Sequence, residues 1–259
     1  MKVITLNVNG IRSAQKKGFF EWLRYQRADV VCLQDLKAQV VDLSAGLRKL
    51  SGYQGYFHEA QRRGYSGVAL YCRRPPDRIR YGLGWPDIDA EGRYLQADFG
   101  HLSVISLYLP SGSAGPHRQA VKESFLERFR PFLKELVADR REYLLCGDWN
   151  IAHRPIDLRN WRSNQKNSGF LPHERAWMDW LFGEAGLVDV FRRLNQAEGE
   201  YTWWSNRGQA RANNVGWRID YHVATPGLAE CARSQRIYRD RWFSDHAPLS
   251  ISYDWDLGR

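Results

Sequence analysis

Leu144-Leu-Cys-Gly-Asp-Trp-Asn-Ile-Ala-His153 reads as a short buried strand that stops at a glycine and then offers Asp148, Asn150 and His153. On an extended chain residues i and i+2 share a side, so Asp148 and Asn150 look into one space. A carboxylate and a carboxamide at a strand end do not belong in a dry core without partners. The ordinary reading is a hydrogen-bonded turn, which Asp and Asn both favour. Whether the stretch is a turn or part of a site depends on what the other strand ends carry.

Those ends repeat the pattern. Strands are expected over residues 3–8, 29–34, 53–58, 67–72, 78–82, 94–99, 102–107, 142–147, 201–205, 217–224 and 249–253. Helical spacing of apolar residues appears at 18–27, 40–50, 117–140 and 172–183. The segments 154–171 and 206–216 read as long polar loops, which in compact proteins usually serve function. No linker, repeat or low-complexity tract divides residues 1–259, so we expect one domain of two packed sheets covered by helices.

Composition narrows the class. Hydrophobic residues make up 43% and aromatics 14%, ample for a large core. No stretch approaches the roughly 20 apolar residues of a membrane span, and the first residues lack a signal-peptide pattern. Cys32, Cys72, Cys146 and Cys231 form no CxxC pair, so a reduced, cytoplasmic protein without a cysteine metal site is expected. The net charge of +9 favours a polyanionic or acidic partner. Arg159, Trp161, Arg162, Lys166, Arg207 and Arg211, in the two loops, are the candidate nucleic-acid or partner contacts, although loop tryptophans more often pack than stack on bases. No heptad is apparent, so a monomer is expected.

Asn7, Asp35, Tyr108, Asp148, Asn150, Asp220, Asp245 and His246 thus all fall at or near strand ends. Each alone has an ordinary reading as a cap or a satisfied core group. Gathered by the fold, they would suit a hard divalent cation with oxygen ligands and an Asp–His pair beside a phosphate.

With these residues in view, the chain resembles the exonuclease III and abasic-site endonuclease family of the endonuclease/exonuclease/phosphatase superfamily. The resemblance is carried by Leu6-Asn-Val-Asn-Gly-Ile-Arg, Leu33-Gln-Asp-Leu-Lys, Gly67-Val-Ala-Leu-Tyr, Leu107-Tyr-Leu-Pro, Gly147-Asp-Trp-Asn-Ile-Ala-His, Gly169-Phe-Leu-Pro-His-Glu-Arg, Thr202-Trp-Trp, Gly216-Trp-Arg-Ile-Asp-Tyr and Ser244-Asp-His. It implies a four-layered α/β sandwich, two mixed sheets packed face to face and flanked by helices, and Mg²⁺-dependent phosphodiester hydrolysis. It implies that Asn7 and Asp35 lie by the metal with Asp245 in support, and that Tyr108 and Asn150 contact phosphate. Asp148 would prepare the water or leaving group, and His246, held by Asp220, would stabilise the phosphorane.

The sequence also departs from that family. Its Leu-Gln-Glu-Thr-Lys motif has Asp35 and Leu36 here, and asparagines around its Tyr-x-Pro-Asn-Gly motif are Ser106 and Ser111. Losing one methylene withdraws the Asp35 carboxylate by roughly 1.5 Å, and misplacement of about 1 Å can cost on the order of 100-fold in rate. In these departures and its arginine content the chain resembles the catabolite repression control branch of pseudomonads. That resemblance implies a catalytically silent translational co-repressor needing no cofactor. It would act with the RNA chaperone Hfq on A-rich messenger leaders and bind RNA weakly or not at all alone. The alternative is a working Mg²⁺-dependent abasic-site endonuclease or 3′-exonuclease acting on DNA.

Overall fold

The computed structural model describes residues 1–258. Two six-stranded sheets face each other. The first runs, edge to edge, Ala232–Ile237, Leu249–Tyr253, Lys2–Asn7, Val30–Gln34, Val68–Cys72 and Gln54–His58. The second runs Arg78–Tyr81, Tyr94–Phe99, Leu102–Tyr108, Glu142–Asp148, Asp220–Ala224 and Val188–Asp189. Each is mixed in the same way, with one parallel pair at its centre and antiparallel neighbours on both sides.

Side-chain alternation explains the layering. In Lys2–Asn7, Val3 joins the core between the sheets while Ile4 and Leu6 turn outward onto the helix Phe19–Gln26. In Glu142–Asp148, Leu144 and Cys146 face inward while Leu145 packs under the helices Pro116–Ala138 and Pro172–Phe182. Helices therefore cover both outer faces, giving the expected α/β sandwich.

The same period of two sends Asn7, Gln34, Tyr108 and Asp148 inward at the carboxyl ends of the two central parallel pairs, where Asn7 is level with Gln34 and Tyr108 with Asp148. Below them a polar seam ties the sheets together. Thr5 Oγ1 donates to Gln34 Oε1 (3.2 Å), Gln34 Nε2 donates to Ser106 Oγ (2.9 Å), and Ser106 Oγ donates to the Leu33 carbonyl (3.0 Å). Within the second sheet Gly147 is required beside Leu107 on the parallel neighbour, because a Cβ at that position would lie 1.8 Å from the Leu107 carbonyl oxygen.

Several elements differ from expectation. Residues 40–50 form only a 3₁₀ turn, Val40–Asp42, and one short helical turn, Ala45–Arg48, interrupted at Leu43 and Ser44. Residues 232–237, for which no strand is expected, form the edge strand Ala232–Ile237, whose central residues lie toward solvent and whose apolar residues are confined to the two ends. Charge along an edge deters further strand pairing. The expected strands 201–205 and 217–224 shrink to Trp203–Trp204, paired with Gly216–Trp217, and Asp220–Ala224. Asp220 therefore opens its strand.

Arg218, between these pieces, is fully buried and binds two acids. Its Nε lies 2.8 Å from Asp157 Oδ1 and its Nη2 2.6 Å from Asp189 Oδ2, and Arg192 Nη2 adds a 2.8 Å bond to Asp157 Oδ1. Burial alone would raise the Asp157 carboxyl, but Arg218 and Arg192 more than reverse that and hold it at about 2. A value depressed on folding contributes stability above about pH 4, lost as pH falls toward 2, worth about 2 kcal/mol. Asp157→Asn should cost about 3–5 kcal/mol at neutral pH, because it takes the acid from Arg192 and leaves the buried Arg218 with Asp189 alone. Urea unfolding from pH 7 down to pH 2 should show the gap from wild type narrowing below pH 4. A gap independent of pH would contradict this assignment.

Candidate active site

Residues from both sheets and seven loops line a cleft of about 390 Å³ over the carboxyl ends of the parallel pairs. Asn7, Asp35, Tyr108, Asp148, Asn150, Asp245 and His246 all face it. Asp220 lies just behind, paired in register with Asp148 on the neighbouring strand. All eight residues singled out by sequence therefore converge.

Their bonds fix a definite arrangement. His246 Nδ1 lies 2.8 Å from Asp220 Oδ2, and its Nε2 lies 3.9 Å from Asp148 Oδ2. Asn7 Nδ2 donates to Asp148 Oδ2 (2.9 Å) and the Asn150 N–H donates to Asp148 Oδ1 (2.9 Å). Asp245 accepts from Asn9 Nδ2 (2.9 Å), Trp203 Nε1 (3.0 Å) and Ser244 Oγ (3.0 Å). Lys37 Nζ lies 3.0 Å from Asp35 Oδ2 and also reaches Asn9 Oδ1. Asn9, Asp35, Lys37 and Asn150 all adopt positive φ, a backbone region that costs free energy for such residues and tends to cluster at functional sites.

Electrostatics sorts the groups. Burial pushes the Asp148 carboxyl up to about 7, opposed by His246 and reinforced by Asp220. For His246, burial favours the neutral ring, yet Asp220, Asp148 and Asp245 more than reverse this and raise it to about 10. The imidazole is thus a cation at neutral pH. Burial, with Asp35 and Asp148 nearby, raises the Tyr108 hydroxyl well above its usual value, so it remains a donor. Arg93 lies over its ring at 4.8 Å.

Asn150 departs in part from expectation. Its Nδ2 donates to the Leu109 carbonyl (2.9 Å), so its amide braces the wall, and its backbone N–H, rather than its side chain, orients Asp148. Behind it the fully buried Lys122 donates to the Asn150 carbonyl (2.8 Å) and pairs with the fully buried Glu174, which accepts from the Gly169 and Leu171 N–H groups (2.7 and 3.0 Å).

Arg159, Trp161, Arg162, Lys166 and Arg207 do not line the cleft. Trp161 packs against the cluster of Ala152, Leu158, Phe170 and Ile219, with Arg162 stacked on it at 4.6 Å. Arg159, Arg162, Lys166 and Arg207 lie on the surface, and Arg211 belongs to a second cleft. The wall instead includes Lys37, Asn9, Trp203, Trp217 and Ile219. Lys37 belongs to Leu33-Gln-Asp-Leu-Lys, but one lysine in a loop carries no signal in sequence until its carboxylate neighbour Asp35 is placed.

Asn7, Asp35, Asp148 and Asp245 present hard oxygen donors to the cleft, and among the described residues the Asp35 carboxylate is bound only to Lys37. Such a set suits Mg²⁺, which takes one or two carboxylates and completes its shell with phosphate oxygens and water. Among the described residues no three His, Cys, Asp or Glu side chains form a metal-holding group, so a closed cage of the structural zinc type is not what this wall offers. No helix of the described chain is long and apolar enough to cross a membrane.

An exodeoxyribonuclease of Bacillus subtilis (strain 168) is 38% identical over 97% of this chain and 98% of its own. A Danio rerio protein named DNA repair nuclease APEX1 is 36% identical over 97% of this chain and 81% of its own. Among solved structures, an AP endonuclease from Archaeoglobus fulgidus superposes with a TM-score of 0.89 at 29% identity, covering 98% of this chain and 100% of that one. These names overturn the expected role as a silent co-repressor with Hfq: the relatives that match nearly end to end are named for cutting or repairing DNA. They do not single out the catabolite repression control branch. The profile described as the Endonuclease/Exonuclease/phosphatase family matches residues 4–246, and the chain belongs to that family.

Proposed function

We propose that the protein is a Mg²⁺-dependent phosphodiesterase acting on DNA, of the abasic-site endonuclease and 3′-exonuclease kind. The observation that carries this reading is the line Asp220–His246–Asp148 at the floor of the cleft, with bonds of 2.8 Å behind His246 and a 3.9 Å gap in front. The names of the end-to-end relatives support the same substrate class.

The chain's own groups divide the work. Asp148, oriented by Asn7 and the Asn150 N–H, takes a proton from water as the water oxygen attacks phosphorus. The bond from phosphorus to the departing sugar oxygen breaks, its electron pair leaves with that oxygen, and solvent protonates it. The His246 imidazolium, held by Asp220, donates to a phosphate oxygen that gains negative charge in the transition state, where a preorganised cation acts most strongly. Tyr108, kept protonated, donates to a second phosphate oxygen. Asp35 and Asn7 would hold Mg²⁺, with Asp245 in support, and the ion when bound neutralises charge on the phosphate.

Cleavage of a duplex carrying one abasic site should depend on added Mg²⁺ or Mn²⁺ and stop with EDTA. Asp148→Ala should fall by on the order of 10²–10⁴-fold; cutting equal to wild type would remove the proposal. Asp220→Asn keeps the shape but loses the charge behind His246, and should lower kcat by on the order of 100-fold with little change in KM. Asp35→Glu restores the longer reach of the family motif and should raise the rate. An unchanged or lower rate would mean the aspartate already meets the metal.

A further inference from the structure

The short strand Trp203–Trp204 sends successive side chains to opposite faces. Trp203 lines the catalytic cleft, while Trp204 lines a second one of about 400 Å³ together with Arg211, Ala212, Asn214, Arg239 and Trp242. Only the Ser244–His246 segment separates the two: Arg211 Nη1 donates to the Ser244 carbonyl (3.3 Å), and the Trp204 N–H to that of Asp245 (3.1 Å).

Arg211 is sandwiched between two indoles, its guanidinium carbon 4.8 Å from the Trp204 ring centre and 4.2 Å from that of Trp242. Arg239 also lies over the Trp204 ring, at 5.8 Å. Glu200 binds Arg239 at 2.6 Å, while Arg211 has no acid in contact among the described residues and feels the charge of Asp245 across the Ser244–His246 segment. Arg211 Nη2 and Arg239 Nε are buried with no hydrogen-bond partner among the described residues. Burial and the neighbouring Arg239 lower Arg211 to about 10. Two like charges with unused donors, side by side and half out of water, are unfavourable unless an anion is to be met there. Beside them Trp242 is 54% exposed, a large indole face offered to solvent.

We infer that this second cleft is a nucleic-acid subsite: Arg211 and Arg239 take one backbone phosphate of a strand running out of the catalytic cleft, and Trp242 stacks on the adjoining base. A planar guanidinium fork suits phosphate, and an aromatic face beside a cationic groove is how sequence-tolerant strand contacts are made. The inference rests on the proposed DNA reading, yet binding tests it without cleavage.

The experiment measures affinity for an abasic-site duplex in EDTA across a salt series, for wild type, Arg239→Gln, Trp242→Ala and, as a charge-matched control, Arg233→Gln. Arg233 is exposed, pairs with Asp254 and lies outside this cleft. Loss of one phosphate contact should reduce the slope of log affinity against log salt by about 0.9. Arg239→Gln should show that reduction and Arg233→Gln should not. Trp242→Ala should weaken binding by roughly fivefold or more with the slope kept. Equal slopes for the two arginine variants, or unchanged affinity in Trp242→Ala, would overturn the subsite. Failure of the nuclease reading would show separately, as absence of Mg²⁺-dependent cutting by wild type.

Discussion

A protonated imidazole buried among three carboxylates is the constraint on which the site depends. Removing these charges from water is costly unless each finds partners, and the fold supplies them from both sheets. Asp220 and Asp148 come from adjacent strands of one sheet, Asn7 from the other, and His246 from the segment leading into Leu249–Tyr253. The site therefore exists only when the two sheets are docked. The Thr5–Gln34–Ser106 seam holds that docking, and the Arg218–Asp157–Asp189 network fixes the segments of the second sheet next to Trp217 and Ile219 of the cleft wall.

Much of this was legible in the chain because alternation is a local rule. Asp148 shares parity with Leu144 and Cys146, and Asn7 with Val3, so the sequence alone places them on inward faces. The pairing of Asp220 with His246 across 26 residues needed the resemblance, since no local pattern joins a strand start to a loop. The fragmentation of residues 201–224 was hidden because Trp203, Trp204, Trp217 and Ile219 look like continuous strand while Arg218 withdraws into its own ion network. The bonds of Lys37, Lys122 and Glu174 were equally invisible, because they join residues far apart in the chain.

The departures that suggested a silent protein weigh less once placed. Leu36 is core, packed with Ile11, Phe19 and Leu33, away from the chemistry. Ser106 is buried in the inter-sheet seam, bonded to Gln34 and the Leu33 carbonyl. Only Asp35 and Ser111 face the cleft. Two of the four differences are therefore changes of packing, and of the remaining two only Asp35 bears on the metal. A buried dyad with a cationic histidine is an expensive arrangement for a protein that does no chemistry there.

In the proposed mechanism a water deprotonated by Asp148 attacks phosphorus. Cleaving an abasic-site duplex in H₂¹⁸O and weighing the fragments tests it most directly. The expected result is one ¹⁸O in the newly formed terminal phosphate, with a free hydroxyl on the other fragment. Cutting without label in the phosphate, leaving an unsaturated sugar, would mean elimination instead of hydrolysis and would contradict the account.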